Sequence, residues 1–195
     1  MIIDISQEVF SCKVYPGDPE PEYHRISSID SGSDYNLTEF SMCAHNGTHI
    51  DAPCHFIKDG KTVSQLELSV FAGECYVARR TGELTGRDAA DIIRSAEALC
   101  AAKRILIAGN AVVTAAAARV FAGSGLCLLG CEGQTVGSGN SQAEVHRILL
   151  GAGTVLLEGA VLDNVSDGRY FLSAAPLNLG GSDGSPCRAY LIKED

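Results

Sequence analysis

Positive charge is scarce in this chain of 195 residues and nowhere concentrated: 15 lysines and arginines stand against 24 acidic residues, a formal charge of −9. No basic cluster exceeds the pair Arg79-Arg80. A partner with a phosphate backbone or an anionic bilayer would require a positive face, so nucleic acid and membrane surfaces are poor partners. Long apolar runs are missing too; Arg119 and Glu158 interrupt the two best candidates, and neither has the length of a membrane span. The opening Met1-Ile2-Ile3-Asp4-Ile5-Ser6 has no basic region followed by a long apolar core, which predicts no signal peptide. The 8 cysteines include no Cys-x-x-Cys pair, and most have apolar neighbours, as in Leu126-Cys127-Leu128-Leu129. Free, buried thiols in a reducing cytoplasm are expected rather than a disulfide framework. Repeats, low-complexity tracts and linkers are also lacking, and 46% hydrophobic with 20% charged residues is ordinary globular composition. One domain over residues 1–195 is expected.

What is present reads as an α/β protein. A short strand is expected over 2–6, then a Pro/Gly loop from Tyr15 to Pro21, with further strands over 37–43 and 74–80. Thr85, with Asp88 three residues on, caps a helix predicted over 86–101, whose Ala89, Ile92, Ile93, Ala96 and Leu99-Cys100 form one apolar stripe. Three apolar runs follow at 104–108, 126–130 and 154–157, separated by helical segments near 112–122 and 141–150. Buried strands alternating with helices predict a mixed, partly parallel sheet. A last strand is expected over 187–193, after the loop from Gly180 to Pro186.

The densest chemistry lies in His45-Asn46-Gly47-Thr48-His49-Ile50-Asp51-Ala52-Pro53-Cys54-His55. His45, His49, Asp51 and His55 share one parity, while Thr48, Ile50, Ala52, Cys54 and Phe56 take the other and are mostly apolar. In an extended chain this points three imidazoles and a carboxylate to one side and packs the other on a core. A helix suits the stretch less well, because Asn46-Gly47 marks a turn and Pro53 breaks helices. A solvated strand edge would account for a lone histidine but not for four ligand-type residues of one parity. Imidazole and carboxylate together suit zinc, manganese or iron rather than magnesium or calcium. Outside this stretch, His146 lies on a predicted helix and Glu158 ends a Val-Leu-Leu strand, where burying its charge is expensive without compensation.

In order along almost the whole chain, these features resemble the cyclase family of metal-dependent hydrolases, which includes bacterial kynurenine formamidase and isatin hydrolase. The resemblance is carried by Ile3-Asp4-Ile5-Ser6-Gln7, Tyr15-Pro16-Gly17-Asp18, and His45-x-Gly47-Thr48-His49-x-Asp51-Ala52-Pro53-x-His55-Phe56. Asp59-Gly60-Lys61, His146, Glu158, Pro176-Leu177 and Asp183-Gly184-Ser185-Pro186-x-Arg188-Ala189 complete it. It implies a swivelling β/α/β fold and a homo-oligomer, a dimer or larger. It also implies two divalent ions, zinc or manganese: one held by His45, His49 and Asp51, the other by His146 and Glu158, with Asp51 shared. His55 would carry protons rather than bind metal, and Tyr15 would contact a small-molecule substrate. The implied reaction is hydrolysis of an N-formyl or cyclic amide. A divalent metal activates water and polarises the attacked carbonyl, and an imidazole protonates the departing nitrogen.

Two departures bear on specificity rather than on metal chemistry. Family formamidases usually carry tryptophan where this chain has Tyr15, and this chain has none. Before the second-site histidine, the usual Gly-(Ile/Val)-Asp and serine are replaced by Gly130-Cys131-Glu132-Gly133-Gln134-Thr135-Val136-Gly137. Competing chemistries are a thiolate nucleophile at Cys54 or Cys131, a metal-dependent lyase, dehydratase or lactone hydrolase on the same site, and a non-enzymatic metal-binding protein. The parity of Cys54 opposes that of His55, Cys131 is more simply a small buried residue, and an intact His55 argues against a non-catalytic role. The Gly-x-Gly pieces at 123–125, 137–139 and 151–153 lack a dinucleotide fingerprint.

Overall fold

The structure, a computed structural model, describes residues 1–193. Its frame is a nine-stranded mixed sheet. Four parallel strands form the centre: β5 (Ala72–Arg79), β7 (Arg104–Ala108), β9 (Leu128–Cys131) and β10 (Val155–Glu158). Antiparallel strands extend both ends. Beyond β5 lie β11 (Gly168–Ser173), β13 (Tyr190–Ile192) and β1 (Ile2–Asp4); beyond β10 lie β4 (His49–Asp51) and β12 (Gly184–Pro186). Two strand pairs stand apart from this sheet: the antiparallel hairpin β2 (Glu22–Ser27) with β3 (Leu37–Ser41), and the parallel pair β6 (Gly82–Leu84) with β8 (Ala111–Val113).

The apolar runs are continuous because both faces of the central strands are covered. On one face Ile105, Ile107, Leu129 and Leu156 pack under three helices, α1 (Gly86–Ala98), α2 (Ala115–Gly123) and α3 (Gln142–Gly151). On the other, Leu106, Leu128, Val155 and Leu157 meet Ile50, Tyr170, Leu172 and Leu191, which the curl of the sheet and its antiparallel wings bring over them. The expected capping box is present: the Thr85 hydroxyl accepts from the Asp88 amide, and Asp88 accepts from the Thr85 amide at 2.8 Å.

The single α/β domain with a mixed, partly parallel sheet agrees with the sequence reading. Several boundaries differ. The first helix stops at Ala98 rather than 101, because Cys100 turns left-handed (φ 54°) and is exposed, so Leu99-Cys100 falls outside the stripe. The strand expected over 37–43 ends at Ser41, and the last strand covers only 190–192 of 187–193. The runs at 126–130 and 154–157 form strands shifted toward their C-terminal ends, at 128–131 and 155–158. The helical segment near 112–122 begins at Ala115, because Ala111–Val113 is pulled into pairing with β6. All eight cysteines are free, but only Cys75 and Cys131 are buried; Cys100 is exposed and the other five are half-buried.

Candidate metal centre

The stretch from His45 to His55 is not one extended strand. Only His49–Asp51 is, and there the parity argument holds: Ile50 enters the core while His49 and Asp51 face the helix side. A turn delivers His45. The Cys43 amide donates to Asn46 Oδ1 at 2.7 Å, the Asn46 amide donates to the Cys43 carbonyl, and Gly47 adopts φ 65°. Pro53 starts a 3-10 turn that brings His55 back, its amide donating to the Ala52 carbonyl. The convergence expected of these residues is therefore met by two turns around a three-residue strand.

Strand register supplies the remaining donors. β4 pairs antiparallel with β10, setting Glu158 opposite His49 and Leu156 opposite Asp51. Glu158 thereby shares the helix-side face with His49, and His146, on the second turn of α3, drops onto it. His49, Asp51, His146 and Glu158 are each at most 3% exposed. His45 and His55 are half-buried at the mouth.

The contacts are close. Asp51 Oδ1 lies 2.8 Å from His45 Nδ1 and 3.3 Å from His49 Nε2. His146 Nε2 is 3.2 Å from Glu158 Oε1, which also accepts from the Val136 amide at 2.7 Å. The far nitrogens of two rings are fixed by backbone: His49 Nδ1 meets the Gly47 carbonyl at 3.0 Å, and His146 Nδ1 the Gln142 carbonyl at 2.8 Å. This arrangement leaves their Nε2 atoms turned to the carboxylates. Ligand-type atoms of His49, Asp51 and Glu158 lie within 4.8 Å of one another, as do those of His45, Asp51 and His55. Asp51 belongs to both groups.

Two buried carboxylates need positive charge. Burial opposes protonation of His49, yet hydrogen bonds to Asp51 and Glu158 outweigh it and raise the imidazole to about 10. His45 and His146 are also shifted upward against burial, by Asp51 and Glu158 respectively. Burial pushes Asp51 upward, but His45 and His49 pull it well below the usual carboxylate range. One atom remains uncompensated: Asp51 Oδ2 is buried and has no hydrogen-bond partner. His146 Nε2 is 3.6 Å from it, beyond hydrogen-bond reach. A buried orphan carboxylate oxygen ringed by imidazole nitrogens is costly as it stands, and a bound cation removes that cost. The residues fit a divalent metal.

A cavity of about 260 Å³ opens over the cluster, walled by Tyr15, Asp18, Phe56, Gln134 and Gln142. Tyr15 sits at its rim and donates its hydroxyl to Gln142 Oε1 at 3.0 Å. Of the seven residues singled out from the sequence, Tyr15, His45, His49, His55, His146 and Glu158 line this cavity, and Asp51 is buried within 4.8 Å of its histidine and glutamate donors. His24 stays apart, exposed on β2. Of the cavity residues, Gln142 had no distinguishing signal in sequence, and Gln134 stood out only as part of the departing segment 130–137. Asp183, whose Oδ2 lies 3.1 Å from both His45 and His55, stood in the sequence within a Gly/Ser-rich loop and a run shared with the family, but with no role of its own.

The departing segment 130–137 is built into this wall. Glu132 accepts from the Leu162 and Gly109 amides, tying the loop to backbone, while Gln134 reaches the cavity. Cys131 is buried and poorly placed for a nucleophile: burial pushes its thiol far above the ordinary value, and nearby Glu158 adds to the shift. Burial and then Asp183 raise Cys54 likewise.

Comparison with known proteins gives one consistent result. Residues 3–135 match the family model described as "Putative cyclase". Among curated proteins, the kynurenine formamidase of Geobacillus thermodenitrificans is 36% identical over 98% of this chain and 97% of its own. That of Erythrobacter litoralis is 33% identical over 97% and 93%. Both alignments extend past residue 135 to the region of His146 and Glu158. Among solved structures, a potential metal-dependent hydrolase with cyclase activity superposes with a TM-score of 0.83 at 26% identity, covering 100% of this chain and 99% of that one. Isatin hydrolase A from Labrenzia aggregata, at 23% identity, shares the fold with a TM-score of 0.82, covering 100% and 94%. The chain belongs to the cyclase family and is an amidohydrolase acting on carbon–nitrogen bonds other than peptide bonds.

Proposed function

We propose that the enzyme hydrolyses a small N-formyl or cyclic amide, using zinc or manganese at two adjoining positions that share Asp51. The observation that carries the reading is the orphan Oδ2 of Asp51, a carboxylate set among buried His49, His146 and Glu158 and half-buried His45. His45, His49 and Asp51 would hold one ion, and His146 and Glu158, with Asp51, the other. Bound there, a divalent metal supplies Lewis acidity to activate water and polarise the amide carbonyl.

The chain's own groups do the rest. His55 lines the cavity at its half-exposed mouth, where an imidazole can take a proton from the attacking water and hand it to the departing nitrogen. That proton is required because an amide anion is a very poor leaving group. The cavity, at about 260 Å³, sits at the small end for ligand sites, and its rim is polar: Tyr15, Asp18, Gln134 and Gln142. Tyr15 contacts the substrate and, with these amides, favours a smaller or more polar amide over N-formylkynurenine. The test is a screen of zinc- or manganese-loaded protein against N-formyl aromatic amines, N-formylkynurenine, isatin-like cyclic amides and small lactones. Turnover of none of the amides, or of lactones alone, would refute amide hydrolysis; efficient turnover of N-formylkynurenine alone would refute the preference.

We further propose a homo-oligomer in the cytoplasm. Hairpin β2–β3 exposes Tyr23, Ile26, Leu37 and Phe40, at 43–58%. It borders an apolar groove of about 630 Å³ that includes Phe10, Met42 and Leu177 and none of the metal-centre residues. A two-stranded hairpin presenting so much apolar surface is expected to be covered. Sedimentation equilibrium giving a monomer at micromolar concentration would refute this. The eight unpaired cysteines suit a reducing compartment.

A further inference from the structure

One carboxylate oxygen touches two rings of this site. Asp183 Oδ2 lies 3.1 Å from His45 Nε2 and 3.1 Å from His55 Nδ1. The rings themselves lie 4.2 Å apart between centroids and are inclined by only 30°. Asp183 is the residue immediately before β12, and the backbone around it is pinned. Its carbonyl accepts from the Ala52 amide at 2.8 Å, and the preceding Ser182 carbonyl accepts from the Val63 amide at 3.0 Å. The Ser182 hydroxyl donates to the Gly184 carbonyl at 2.7 Å. Gly184 pairs with Asp51 in the sheet, and any Cβ there would come within 2.5 Å of the His45 ring. The carboxylate therefore has a fixed seat over the two imidazoles. Its side chain is 49% exposed, so it keeps its charge without full desolvation.

We propose that Asp183 is a positioning residue that sets the tautomers of both rings at once, in opposite senses. A carboxylate accepts and does not donate, so the nitrogen facing it carries the hydrogen. For His55 that nitrogen is Nδ1, which leaves the Nε2 lone pair as the proton acceptor offered to the cavity. His45 faces carboxylates at both nitrogens, Asp51 at 2.8 Å from Nδ1 and Asp183 at 3.1 Å from Nε2; with a metal at Nδ1, the Asp183 contact would hold the remaining hydrogen on Nε2. An unconstrained histidine side chain favours the Nε2–H form, so without Asp183 His55 would mostly present a donor where the reaction needs an acceptor. The inference rests on the reading of His55 as proton carrier. In that cycle His55 Nε2 takes a proton from water as the C–O bond forms, then releases it to nitrogen as the C–N bond breaks. Asp183 gains and loses none.

The test uses the zinc-loaded full chain, with formanilide as the N-formyl probe. Two-bond nitrogen–proton correlation spectra report the His55 tautomer whether or not the probe is turned over. Nδ1–H is expected in the wild type and a majority of Nε2–H in Asp183→Ala; Nε2–H at His55 in the wild type overturns the proposal. In turnover, Asp183→Ala should lower kcat by about 10–100-fold, the usual range for partners of site histidines, with KM changed by less than about threefold. Asp183→Glu should restore part of it. In a His55→Ala background at saturating zinc, where weaker metal binding through His45 is compensated, Asp183→Ala should cost less than about threefold; an equal loss in both backgrounds means that the loss does not pass through His55 and overturns the proposal. If His55→Ala alone leaves kcat unchanged, the reading of His55 as proton carrier fails, and the tautomer spectra still decide the Asp183 contact.

Discussion

Replacing His55 by alanine separates catalyst from ligand inside one motif. The ring is 27% exposed, lies 4.2 Å from the His45 ring at a 30° tilt and meets Phe56 edge-on at 4.6 Å. Its removal deletes one hydrogen bond to Asp183 and these edge contacts at a half-open mouth, so the fold should lose only about 1 kcal/mol. The buried donors His49, Asp51, His146 and Glu158 keep every contact among themselves. Metal content should therefore stay near the wild-type value. Turnover should fall by about 10²–10⁴, the usual general acid–base contribution, which corresponds to roughly 3–5 kcal/mol on the barrier. The assay pairs elemental analysis of protein purified without chelator with kcat for whichever amide the screen identifies. His55 also lies within 4.8 Å of ligand-type atoms of His45 and Asp51, so the opposite result is physically available. Metal lost in parallel with activity would make His55 a ligand and refute the assignment.

Glu158→Gln keeps an acceptor for the Val136 amide but removes the charge facing His49 and His146, so stoichiometry should drop by about one ion per chain; unchanged content and activity would reduce Glu158 to a structural acceptor. Gly184→Ala drives a methyl into a His45 ring already held by Asp51 and Asp183, and should cost about 1–3 kcal/mol and much of the bound metal. Full metal occupancy and an unaltered melting temperature would show that the ring can move. Without metal, His49 keeps its proton up to about pH 10 against an unfolded value near 6.5, and His45 and His146 are shifted the same way. The contribution of His49 to the stability of chelated protein is complete below about pH 6.5 and disappears as pH rises toward 10, and those of His45 and His146 are lost in the same direction. Melting temperature should fall over that window after chelation but not when metal is bound, and metal affinity should rise with pH because the ion displaces those protons. Equal pH profiles for the two forms would contradict the buried charge arrangement.

The local part of the site was legible because its donors are crowded into eleven residues, but the geometry behind that legibility was only partly right. Alternation describes His49, Ile50 and Asp51; Gly47 and Pro53, the two residues that mark turns, are what bring His45 and His55 to the same space. Glu158 drew notice through the cost of burying a charge, and the compensation that this cost demands is present in His49 and His146. Asp183 was named in a shared run but its role escaped, because an aspartate between serine and glycine carries the signature of any turn and its partners are 138 and 128 residues away. β12 was equally hidden: Gly184-Ser185-Pro186 has no strand propensity, and pairing with β4 alone makes it a strand. The exposed hairpin strand Glu22–Ser27 buries nothing within the chain, so no period-2 pattern marks it.

The site lies where the sheet changes direction. β10 is the last of the parallel strands, and α3, which precedes it through a tight turn, begins near the carboxyl ends of those strands, the usual ligand position in such sheets. β4 then joins β10 antiparallel, so one pair of neighbouring strands sets His49 against Glu158 and Asp51 against Leu156. In a sheet the side-chain period is two, and a slip of β4 by a single residue would send His49 and Asp51 into the core and Ile50 into the metal centre. The hydrophobic effect forbids that slip, since Ile50 is fully buried among Leu157, Leu191 and their neighbours. The apolar side of a three-residue strand thus fixes the register of its polar side. Because β12 repeats the same lock from the other edge, setting Gly184 beside Asp51, the carboxylate at the centre of the site is placed by the packing of residues that never touch the substrate.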